Sequence, residues 1–231
     1  MVFEQDSERS IQFFKGLLYK HLINYEDSHG RIPDLNTEDD LVRTGFSEKR
    51  SFEELVRAAE GVPRDAINVA SKAALKAREK RITMAQVRDA ARAWYQSDKE
   101  AAIKGIPEAQ EFLNWIIDEV IREKKSRGFL VNQNDSNYPA LLGLFDARVL
   151  HLTKRGYSAQ DTPGERYDVW TIDYGAYVDL MRTKNEPQEL NLFELDMPME
   201  TNDEEVPMQD LRAIRRAVLN LSDFNSRNEF R

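Results

Sequence analysis

The 231-residue sequence has no cysteine, only three histidines, and fewer basic than acidic side chains, 33 against 41. Without cysteine there is no disulfide scaffold, no thiolate metal site and no thiol nucleophile. His21, His29 and His151 are scattered, with no spacing that suits a metal. Long apolar runs are also lacking, so no membrane span is expected. Met1 to Ser10 has neither a basic start nor an apolar stretch, so the expectation is no secretory signal and a cytoplasmic protein. No G-x-x-x-x-G-K-[ST] phosphate loop, G-x-S-x-G elbow or H-E-x-x-H helix occurs. An autonomous enzyme is therefore poorly supported.

What is present suffices for a core. Apolar residues make up 41% and aromatics 10%, and the length suits one large domain or two small ones. The net charge of −8 is unevenly placed. Residues 1–42 carry net −5, residues 43–104 net +5, residues 105–185 net −2, residues 186–211 net −9 and residues 212–231 net +3. An acidic total thus hides one basic segment. The acidic block contains Pro187, Pro198 and Pro207 and reads as a linker.

Apolar spacing predicts the elements. Ile11, Phe14, Leu17, Leu18 and Leu22 mark an amphipathic helix over 10–24, broken by Ser28 to Pro33. Residues up to Lys49 read as a loop or short helix. Ser51 with Glu54 has the form of a capping box, opening a helix that buries Phe52, Leu55, Val56 and Ala59. Gly61 closes that helix and Pro63 opens the next, with Ile67, Ala70, Ala74 and Ala77 expected on its packed stripe. Thr83 and Gln86 form a second capping box before Val87, Ala90, Ala91, Trp94 and Tyr95. Together these give a three-helix bundle over 51–97.

After the joint Gly105-Ile106-Pro107 comes a helix bearing Phe112, Leu113, Ile116, Ile117, Val120 and Ile121. Phe129 to Val131 reads as a strand. Pro139 opens a helix with Leu141, Leu142, Leu144 and Phe145, and the stretches 149–153 and 167–172 read as a hairpin. Helix, strand, helix, strand, long loop, strand is the order of a winged-helix domain, with residues 154–166 as the wing. A last amphipathic helix is expected over 209–221, with Leu211, Ile214, Val218 and Leu221 on one face. His151 reads as structural, Glu53/Glu54 and Asp39/Asp40 as solvated, and Tyr174, Tyr177, Asp173 and Asp179 as core aromatics and surface caps.

Gly61-Val62-Pro63-Arg64 places an arginine in the first turn of a helix just after a glycine. Here the sequence resembles the lid of AAA+ ATPases of the replication-initiator, origin-recognition kind, in which a G-x-x-R supplies the sensor 2 arginine. Residues 66–70 and 88–92 resemble the other lid helices, and a winged helix after the lid is that family's order. Leu150 to Gly156 and Ile172 to Gly175 also resemble stretches of bacterial ATPases of this kind. The Walker A and Walker B strands are absent, so the resemblance, over about residues 10–185, is to the C-terminal half of such a protein.

The expected layout is mainly α with a small β-hairpin sheet. It runs from a remnant of the ATPase core (1–50) through a lid-like bundle (51–104) and a winged helix (105–185). An acidic linker (186–211) and a C-terminal helix and tail (212–231) follow. The resemblance implies Arg64, with Gly61, as the nucleotide-sensing pair, and ATP with magnesium only when a separate ATPase core is opposite; this chain alone calls for no cofactor. The winged helix implies double-stranded DNA as a partner. The candidates are Arg148 and the wing residues Lys154, Arg155 and Arg166, with Lys124, Lys125 and Arg127 reaching phosphate. The functional expectation is a non-catalytic regulatory module coupling an ATPase core to DNA or to a protein. The alternatives are the C-terminal piece of a complete ATPase, or a protein-interaction or oligomerisation module that does not bind nucleic acid.

Overall fold

The computed structural model describes residue 3 and residues 6–158, 164–185 and 211–229. All of the expected acidic linker but Leu211 therefore lies outside the described residues, as do residues 159–163 of the expected wing. The chain is mainly helical with one small mixed sheet.

α1 (Ser7–His29) lies against α2 (Glu38–Gly45), which Thr37 and Asp40 start with a reciprocal capping box. α3 (Lys49–Ala58), α4 (Pro63–Ala77) and α5 (Met84–Trp94) form the bundle. The turn between α3 and α4 has Glu60 and Gly61 both at positive φ, 49° and 78°. Glycine accepts this without strain at the second position. Pro63 sits in the first turn of α4, and the Thr83/Gln86 box starts α5, as the sequence predicts.

Two expectations fail here. α3 begins at Lys49, so Ser51 is inside it and buried, its hydroxyl bonded to that of Ser47. The packed stripe of α4 is Ala66, Val69, Ala73 and Ala77, while Ile67 and Ala70 are half-buried and Ala74 is exposed. The alanine-rich sequence fits either stripe, so tertiary packing decides the rotation.

α5 does not stop at Ser97. It runs through a π-helical turn, Tyr95–Lys99, into α6 (Glu100–Ile103). The wider turn brings Tyr95, Lys99 and Ile103, each four apart, onto one buried stripe. α7 (Pro107–Ile116) continues into a second π segment, Ile117–Glu123.

The sheet follows. β1 (Gly128–Asn132), β2 (Leu150–Tyr157) and β3 (Tyr167–Ile172) are antiparallel neighbours in the order β2-β3-β1, with α8 (Pro139–Asp146) between β1 and β2 in sequence. Leu130 pairs with Val169 and Phe129 with Trp170. β2 carries register shifts beyond Leu152. α9 (Tyr174–Asn185) then packs on α5.

The expected terminal helix is instead three elements: α10 (Leu211–Arg216), β4 (Val218–Leu219) and α11 (Leu221–Glu229). β4 joins β1 in parallel, so the sheet order ends β1-β4. Ile214 covers Leu130, Tyr167 and Val169 on one sheet face, while Phe129, Val131 and Trp170 face the main core. Both faces of β1 are thus covered, which explains its continuous apolar run. The main core runs without a break from Phe14 through the bundle and sheet to Phe224, so the bundle and the sheet share one interior. No described helix is long and apolar enough to cross a membrane.

Candidate functional site

Charge concentrates in two places: a buried seam where the bundle meets the sheet, and the exposed end of the β2–β3 hairpin.

Lys99 is the centre of the seam, with its side chain 2% exposed. Its ammonium lies 2.8 Å from Asp65 Oδ2 and also donates to Asp173 Oδ2. Burial disfavours the Lys99 charge, yet the two carboxylates hold its pKa above the ordinary value. Burial likewise raises the Asp173 carboxyl, but Lys99 and the His151 hydrogen bond outweigh it and hold it well below the usual range. Asp173 is therefore ionised and accepts only, so His151 Nε2, 3.2 Å away, carries the proton and donates. The Ala176 N–H also donates to Asp173, at 3.1 Å, in the first turn of α9. Asp173, expected as a surface cap, is thus a buried one.

Asp65 also accepts from Trp94 Nε1 at 3.0 Å and from Arg148, whose guanidinium also reaches Asp98. Arg64 completes the row, donating to Asp98 at 2.9 Å with its guanidinium 5.5 Å from the Trp94 ring centre. Three cations, Arg64, Lys99 and Arg148, face three carboxylates, Asp65, Asp98 and Asp173. These six charges balance one another, and the Lys72 ammonium lies 5.9 Å from the same Trp94 ring centre.

Two further clusters span the same seam. Glu54, expected to be solvated, is buried, and accepts from Arg57, Arg88 and Tyr174. Burial raises its pKa, but the Tyr174 hydroxyl and the Arg88 and Arg57 charges bring it below the usual value. Arg127, expected to reach phosphate, is instead buried and paired with Glu60, which is also buried. At the edge, Arg92 and Gln96 both donate to Asp179 at 2.7 Å. These contacts accompany a close backbone approach: a Cβ on Gly175 would lie 2.4 Å from the Ala91 carbonyl oxygen.

The structure separates the candidates that the sequence groups. Arg148 points inward to Asp65 and Asp98 and is not presented as a groove-reading side chain. These two carboxylates make it a tie between the start of β2 and the bundle. Arg64 has its side chain 61% exposed but pairs with Asp98. Gly61 serves the turn before it. Lys124 and Lys125 are exposed after the second π segment. Lys154, Arg155 and Arg166 are exposed at the hairpin, Arg166 donating to the Gly156 carbonyl at 3.2 Å and Lys154 lying over the Tyr157 ring.

Arg215 joins this end, its Nε donating to the Tyr157 hydroxyl at 2.7 Å. No local sequence signal links α10 to the hairpin. Lys99 had a signal, since it stands at helical spacing between Tyr95 and Ile103.

The outward side of α8 differs from the hairpin. Leu142 and Phe145 are 38% and 41% exposed, and the helix carries no basic residue. Beside them is a cavity of about 210 Å³, lined by Leu152, Arg155, Asp168 and Trp170 among others. Phe145 meets Trp170 edge to face at 5.7 Å.

Around Arg64 the residues do not fit a nucleoside triphosphate held by this chain. One exposed guanidinium is already paired, and two carboxylates stand beside it. No group of three or more metal-ligating side chains occurs among the described residues. Comparisons with protein-family models, curated proteins and solved structures return no match to this chain.

Proposed function

We propose that this protein is a non-catalytic interaction module, built as a lid-like bundle joined to a winged-helix unit, that engages a protein partner through α8 and the adjoining edge strand β2. The observation carrying this reading is the exposed face of α8. In a winged helix this is the element that would enter the major groove. Base edges and phosphates are read by donors and cations, whereas this face offers Leu142, Phe145 and Asp146. Apolar side chains flanking a small cavity suit a protein surface. The AAA+ resemblance supports the coupling role, with an ATPase core as a second partner, bound at the bundle. Oligomerisation through the same face belongs to this reading.

A second reading has its own support. Lys154, Arg155, Arg166 and Arg215 bring four exposed cations to the hairpin end, the part of a winged helix that rests on the DNA backbone. Fluorescence anisotropy with a labelled duplex at two salt concentrations separates the two. The protein-partner reading expects no saturable duplex binding at low salt. It expects a photo-reactive residue at position 145 to give one discrete adduct in cells, lost when Leu142→Glu is added. Salt-dependent duplex binding abolished by Lys154→Glu with Arg155→Glu establishes the second reading instead.

A further inference from the structure

A groove of about 810 Å³ runs between α1, α2 and α4, on a different face from α8. Its floor is apolar: Leu18, Leu22, Ile67, Ala70 and Ala74. Leu75 at its margin is 76% exposed, the most exposed of the large apolar side chains among the described residues. This is the side of α4 that the sequence predicts as packed and the bundle leaves uncovered. The rim has a charge of one prevailing sign. Arg78 and Lys80 line it, with Glu79 between them, and Lys76 and Arg81 are exposed beside it.

The chain holds a segment of the complementary kind. Residues 186–210 carry nine acidic and no basic side chains. Within them Leu190, Leu192, Phe193, Leu195, Met197 and Met199 alternate with Glu194 and Asp196. Apolar anchors between acids fit an apolar floor beneath a basic rim. The segment is tethered at both ends, by α9 and α10. An arm of ten residues reaches up to roughly 33 Å, and the radius of gyration expected for a chain this long is about 17 Å. Tethering also raises the effective concentration to the millimolar range.

We propose that the groove between α1, α2 and α4 is the docking site of this chain's own acidic, leucine- and methionine-rich segment, residues 190–199. Burying Phe193 and its neighbours there covers Leu75, while Glu194 and Asp196 meet Arg78 and Lys80. The inference is independent of the partner proposed for α8.

The absence of cysteine makes the test direct. The full-length double variant Leu75→Cys with Phe193→Cys is oxidised mildly at high dilution, and its disulfides are mapped by mass spectrometry. Position 75 is exposed, so the substitution leaves the fold intact. The control is Arg155→Cys with Phe193→Cys, which pairs the segment with the hairpin. An intrachain 75–193 disulfide forming at least about tenfold faster than 155–193 is the expected result, reflecting local concentration above that of a free tether. Adding Arg78→Glu and Lys80→Glu slows it severalfold. Equal rates in the two pairs overturn the proposal, as does a rate indifferent to charge reversal. A disulfide formed only between chains also overturns it and assigns the groove to a second copy.

Discussion

The bundle–sheet seam and the hairpin end are both rich in charge and use it in opposite ways. In the seam the cations lie opposite carboxylates, most deeply at Lys99, buried between Asp65 and Asp173. At the hairpin Lys154, Arg155 and Arg166 face solvent, and rotamer freedom and screening leave such groups little weight in stability. The difference is one of dielectric. A charge that has left water must be matched within the protein, while one that stays in water is available to a partner. Residues of one type are therefore matched by carboxylates inside the fold at one place and left in water at the other. Arg148 and Arg155, seven positions apart, fall on opposite sides of this division.

Removing Lys99 is the strongest way to break the contrast. Lys99→Met leaves two buried carboxylates without their cation and is expected to cost about 3–5 kcal/mol, read from urea unfolding. Asp173→Asn added to it restores part of the loss if the penalty is the unpaired charge. Gly175→Ala comes next. The new Cβ meets the Ala91 carbonyl oxygen at 2.4 Å, an overpacking expected to cost about 1–3 kcal/mol.

Acid titration sharpens the comparison. The pKa values of Asp173 and Glu54 are depressed in the folded protein. Their contribution is complete above the unfolded carboxylate values of about 4 and is lost as pH falls through the folded values. The urea midpoint should therefore drop below about pH 4, and Asp173→Asn should flatten that drop. Lys99 acts with the opposite sign. Its pKa is raised by folding, so its contribution is complete below the unfolded value of about 10.4 and is lost as pH rises through the folded one.

The smallest effects belong to the exposed cations. Arg64→Ala removes one exposed ion pair with Asp98 and should cost about 0–1 kcal/mol. Calorimetry with ATP and magnesium should register no binding by the wild-type chain; micromolar affinity lost with Arg64→Ala would restore the sensor reading. Lys154→Glu with Arg155→Glu should leave stability within about 0.5 kcal/mol. A large loss of stability there would erase the distinction between the two regions.

Local signals made much of the architecture legible. The Thr83/Gln86 box, Pro63 at a helix start, the Pro139 helix and the apolar run at Phe129 are each set by neighbours in sequence. The failures share a cause. Ser51 and Glu54 have the composition of a cap but lie inside a helix, because Glu54 is drawn inward by Arg57, Arg88 and Tyr174, the last 120 positions away. Val218 has helical spacing with Ile214 and Leu221 but pairs, together with Leu219, as a strand, because β1 has a free edge beside them.

The sequence alone determined where α4, α5 and α8 begin, the order of the helices and strands from α3 to β3, and the uneven charge, since these depend on backbone preference and on apolar spacing within a few residues. Only the tertiary structure decided which face of α4 is packed, that bundle and sheet share one interior, and which cations are spent on buried carboxylates. Those outcomes depend on partners 34 to 120 residues away. Whether a charge is buried or solvated is a property of what folds over it, and nothing in its immediate neighbours fixes that.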